Sequence, residues 1–195
     1  MIIAQKKRKE NIIEYLLYMW QVEDLIRANG LDMKRIEATV VDRYGNVDEA
    51  LRRQIYDWWD NLTEMMRIEK CETSGHLQVT RGLMNDIYNF HLYLLTKPEE
   101  AAYQNAFQTA WSDLLALKAR IPDGDRMQHV ELALTAIYDY FLLKLQGRTV
   151  LADTTNAVVR ISRAMAILSA RYLEAERELD KRPQTNADGT LSAAR

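Results

Sequence analysis

Residues 12–26 read Ile-Ile-Glu-Tyr-Leu-Leu-Tyr-Met-Trp-Gln-Val-Glu-Asp-Leu-Ile. Wound at about 100° per residue, this segment is apolar around most of its circumference, so it must be a helix enclosed by other helices. Glu10, Glu14, Gln21 and Asp24 gather on one narrow stripe, and Ile12, Leu16, Met19 and Ile26 gather opposite. Glu23 falls in the middle of that second group. A carboxylate at the centre of an apolar face needs partners, because an unpaired buried charge is costly.

The rest of the chain repeats apolar residues at helical spacing. The 3 Pro and 7 Gly fall almost wholly between the periodic segments, where helix-ending residues belong. The first helix is expected over about Ala4–Asn29, with Gly30 as its stop. A short helix follows at about Asp32–Tyr44. A third starts from Asn46, whose spacing to Glu49 resembles a capping box, and reaches about Lys70 with Leu51, Ile55, Trp58, Leu62 and Met65 inward. Leu77–Thr96, Pro98–Arg120, Asp125–Gln146 and Leu151–Lys181 complete the set, with Pro122-Asp123-Gly124 as a turn. No strand pattern emerges. The expected fold is all-α, an antiparallel helical bundle of six long helices plus one short helix. It forms one domain over 1–181, followed by a polar, disordered tail over 182–195.

Composition narrows the functional classes. The 26 basic and 28 acidic residues leave a net charge of −2, which gives no reason to expect nucleic acid or an anionic membrane as partner. Lys6 to Lys9 form a small basic cluster beside Glu10 and Glu14, a solvated helix end. Cys71 is the single cysteine, so there is neither an internal disulfide nor a Cys-based zinc site. No uncharged apolar run reaches the length of a membrane span, and the N-terminus lacks signal-peptide features. The reading is a cytoplasmic protein.

At the N-terminus a resemblance enters. Lys6-Lys7, Asn11-Ile12-Ile13-Glu14-Tyr15 and Tyr18-Met19-Trp20-Gln21-Val22-Glu23-Asp24-Leu25-Ile26-Arg27 resemble the start of an uncharacterised all-helical bacterial family, of Bacteroides type, known only as a domain of unknown function. The resemblance covers most of the chain and implies a soluble bacterial protein. It brings no catalytic or binding residues with it.

Two residues could carry chemistry. Glu23 faces inward, and so does His91, which shares a face with Met84, Ile87 and Leu95. Each needs a polar partner, so a buried cluster of Glu23 and His91 with Tyr15 or Tyr88 is expected. It would be either structural or the lining of a small-molecule pocket. His76, His91 and His129 lie on separate segments with no Glu-x-x-His, so no metal site and no cofactor are expected. Asp57, Asp60 and Glu64 share a solvated face. No Gly-rich phosphate loop or Gly-x-Ser-x-Gly occurs, and whether the chain is an enzyme stays open. Interface candidates are Trp59, turned about 100° from Trp58, and a second stripe on the last helix with Val159, Ala166 and Leu173. That stripe points to a packed helix, from a second copy or another protein. The leading functional reading is a non-enzymatic interaction or self-associating module. The competing one is a ligand-binding or enzymatic bundle with a pocket around Glu23 and His91.

Overall fold

The computed structural model describes residues 2–45, 47–121 and 124–181. Asn46, Pro122, Asp123 and the segment 182–195 lie outside the described residues, and with them the cap assigned to Asn46, most of the turn and the tail. The elements are α1 (Ile2–Glu10), α2 (Ile12–Ala28), α3 (Met33–Thr39), a 3-10 turn (Val41–Tyr44), α4 (Glu49–Ile68), α5 (Gln78–Leu95), α6 (Ala101–Lys118), α7 (His129–Leu145) and α8 (Ala152–Asp180). Further 3-10 turns occupy Pro98–Glu100 and Gly124–Arg126. Among the described residues there is no strand, and the fold is all-α.

The expected first helix is two. Asn11 sits in extended backbone at φ −155° and its side-chain oxygen accepts from the N–H groups of Ile13 and Glu14. It is therefore the N-cap of α2. Ser169 of α8 fixes the break, donating to Asn11 Oδ1 at 2.8 Å and accepting from the Ile12 N–H at 3.0 Å. At the other end Gly30, at φ +64°, closes α2. Its N–H reaches Arg27 O and the Leu31 N–H reaches Ile26 O, a Schellman arrangement that satisfies the last carbonyls. Helix α4 ends the same way, with Lys70 at φ +56° in the position that glycine usually takes.

The second expected helix is only α3 plus the 3-10 turn. Helix α4 is capped by Asp48, whose side chain accepts from the Leu51 N–H. Its inward stripe is also turned from expectation. Ile55, Trp59, Leu62, Thr63 and Met66 are buried, while Trp58 and Met65 are half-buried. The covering element is α3, whose Met33 sulfur meets the Thr63 hydroxyl at 3.6 Å.

Two apolar clusters make the core, and α2 serves both. Its Ile12, Ile13, Leu16 and Trp20 join side chains of α5, α6, α7 and α8. Its Met19, Val22 and Ile26 join Ile36, Val41, Ile55, Trp59, Met66 and Leu77. That division explains why α2 is apolar nearly all round. Ile12, Leu16 and Ile26 are fully buried, each worth roughly 1.5–3 kcal/mol of transfer free energy. Helix α8 packs on α6, α7, α2 and α5.

Candidate functional site

Helix α5 begins without a side-chain cap of its own. Its N-cap is Leu77, which has no side-chain oxygen, yet the first N–H groups of any helix need acceptors. Glu23 supplies one from across the core. Its Oε1 accepts from the Leu77 N–H and the Thr80 hydroxyl, each at 3.1 Å, and its Oε2 lies 2.6 Å from His76 Nδ1. The carboxylate is fully buried and sits at the positive end of the α5 dipole. His76 in turn stacks on Trp20 at 4.3 Å with planes 12° apart. The loop before α5 is held by Arg27, which donates to Cys71 O and Gly75 O and pairs with Asp24 at 2.8 Å. Tyr138 donates to Asp24 at 2.7 Å. Each polar group of this network has a partner within it.

The expected cluster of Glu23 and His91 does not form. His91 lies eleven residues beyond Thr80 on α5, about 16 Å along the helix axis, and shares no hydrogen-bond partner with Glu23. Tyr15 is half-buried between the two apolar clusters. Of the residues expected together, the structure brings Tyr88 to His91, with ring centres 5.9 Å apart, and sets Tyr15 within the field of the Glu23 carboxylate.

His91 has its own centre. It is fully buried. Its Nδ1 lies 2.5 Å from the hydroxyl of Tyr103 on α6, and its Nε2 lies 3.1 Å from Nδ1 of His129, the first residue of α7. Burial and the neighbouring His129 push the His91 imidazolium down to about 4. Burial and Lys118 lower His129 as well, and burial raises the Tyr103 hydroxyl above its usual range. Near neutral pH this is a chain of uncharged groups. Phe107 and Trp111 flank it, with ring centres 5.8 and 4.8 Å from His129. The half-buried His129 opens on a cleft of about 390 Å³ that Gln104, Gln108, Leu95 and Trp111 also line.

A second depression lies between α1–α2 and the α3 region. It holds about 310 Å³, and its lining includes Ile3, Tyr18, Leu25, Val40, Arg43 and Trp59. Trp59 is 1% exposed and its indole N–H has no acceptor. Trp59 is thus a groove floor rather than a surface side chain. On α8, Val159 is 61% exposed and Ala166 is exposed, whereas Leu173 is turned into the core and leaves the expected outer stripe. Arg160 pairs with Asp113, and Arg171 with Glu100 and Glu174.

His76, Thr80, Tyr103 and His129 are the polar partners that the sequence did not join to Glu23 or His91. For the first two a signal existed: the start of α5 lacks a capping side chain, and Glu23 lacks a donor. For Tyr103 it was the inward 3–4 register shared with Phe107, Ala110 and Leu114, and for His129 there was none. Cys71 is buried and its thiol is raised chiefly by that burial. Among the described residues no group of three or more His, Cys, Asp or Glu could hold a metal ion. No helix there is long and apolar enough to cross a membrane.

One family, described as a domain of unknown function (DUF4924), matches residues 1–179. No curated protein and no solved structure matches the chain.

Proposed function

This chain belongs to the DUF4924 family, and we propose that it is a non-enzymatic interaction module whose partner is a second copy of itself. The observation that carries the reading is the groove over Trp59. Ile3 and Leu25, 41% and 42% exposed, line the groove, and the neighbouring Ile2 is 60% exposed. A second copy placed about a two-fold axis, the geometry of most homodimers, would bring Ile2, Ile3 and Leu25 of each chain against the other's apolar face. Among the lining residues only Arg43 is charged, so the face loses little on desolvation.

Sedimentation equilibrium on the whole chain tests this. The wild type is expected to dimerise, and Leu25→Glu to be monomeric with unchanged helicity. Val159→Glu, on the outer stripe of α8, is expected to remain dimeric. A monomeric wild type refutes the reading, and so does a dimer broken by the α8 variant but not by Leu25→Glu.

A further inference from the structure

We infer that the cleft at the start of α7 is a binding site for a small, uncharged, planar nitrogen heterocycle, stacked against Trp111 and hydrogen-bonded at its edge by His129. The cleft lies on α5, α6 and α7, away from the Trp59 groove, and is independent of self-association. Its volume of about 390 Å³ falls within the range of small-molecule sites, roughly 300–1,000 Å³.

The lining selects against ions. It consists of Leu95, Gln104, Asn105, Phe107, Gln108, Trp111 and His129, with no Asp, Glu, Lys or Arg. The nearest cation acting on His129 is Lys118, and Asp125 answers its charge at 3.3 Å. Both histidines are held neutral, His91 by burial and by its neighbour. The walls are aromatic, with Trp111 edge-on to His129 and Phe107 tilted against both. Such surfaces favour flat rings.

The polar tip presents a donor. When Tyr103 donates to His91 Nδ1, His91 Nε2–H donates to His129 Nδ1, and His129 Nε2–H is left for the cleft. Reversing every bond would leave the fully buried Tyr103 hydroxyl as a donor without its acceptor, so the first arrangement is favoured. A neutral imidazole has one donor and one acceptor nitrogen, so the chain carries no net charge in this arrangement. A heterocycle whose edge carries an acceptor ring N fits it.

Quinoline and indole test this on the whole chain. They are similar in size and uncharged near pH 7, and their ring nitrogens accept and donate respectively. Calorimetric titration is expected to show saturable binding of quinoline at millimolar concentrations and weaker binding of indole. His129→Phe should weaken quinoline by about five- to tenfold, the equivalent of one hydrogen bond. Trp111→Ala should weaken both by tenfold or more through lost stacking. Tyr103→Phe removes the hydroxyl that fixes the direction of the chain, so the preference for quinoline over indole should narrow. Indole bound as tightly as quinoline by the wild type, quinoline binding unchanged by His129→Phe, or no saturable binding of either probe would overturn the proposal.

Discussion

Replacing Glu23 by alanine is expected to destabilise the fold by about 3–5 kcal/mol, the cost of breaking a buried charged network from one side. The magnitude follows from what is left behind. The Leu77 N–H and the Thr80 hydroxyl lose their acceptor and His76 Nδ1 loses its partner; an unsatisfied buried polar group costs about 1–3 kcal/mol. Partial relaxation and water entry keep the total below the sum. Glu23→Gln keeps the shape and one carbonyl oxygen for Leu77 and Thr80, so it should cost less, about 1–2 kcal/mol, as a charge-assisted bond becomes a neutral one. Urea denaturation with a common m-value gives both numbers. Amide exchange supplies a local readout, since the Leu77 N–H should lose protection in Glu23→Ala beyond the global change. A loss below 1 kcal/mol for the alanine variant, or a glutamine variant as damaged as the alanine one, would refute the assignment of Glu23 as the cap of α5.

Three further outcomes follow from the same geometry. His91 is held to about 4 in the folded protein against 6.5 when unfolded, so the unfolded chain binds more protons between those values. Stability should fall as pH drops from 6.5 towards 4, by up to about 3 kcal/mol, and His91→Phe should flatten that slope in urea titrations across the window. Lys70 is exposed and holds a left-handed backbone conformation at φ +56°. Lys70→Gly should therefore raise stability by about 0.5–1 kcal/mol, read as a higher urea midpoint. Asn11→Ala removes the cap of α2 and the acceptor of Ser169, costing about 1–2 kcal/mol. Far-UV circular dichroism should show undiminished helix because alanine favours the helical state.

The helices were legible because apolar residues repeat at 3–4 spacing, and Gly30 marked the end of α2 through its backbone freedom. The break at Asn11 was not, since asparagine also occurs inside helices and the partner that decides the matter, Ser169, lies at the far end of the chain. The inward direction of Glu23 was readable from its neighbours, but its acceptor role depends on which helix start the topology carries beside it. Joining Glu23 to His91 failed for the same reason: two inward side chains on different helices can lie at different heights. Trp58 and Trp59 were exchanged because α3 covers α4 from the side, and a single stripe does not reveal a flanking element. The match to a family of unknown function covers 1–179 and agrees with the resemblance of the N-terminal segment.

The bond from Ser169 to the start of α2 spans 157 residues of sequence. Contacts that distant close the largest loops and tend to form late, after the local helices and their nearest neighbours. If Ser169 engages only beyond the transition state, its loss is felt on one side of the barrier. Ser169→Ala should leave the refolding rate nearly unchanged and speed unfolding by close to the full equilibrium effect, a φ-value near zero. The clasp would then set how long the native state lasts once formed, independently of how quickly the helices assemble.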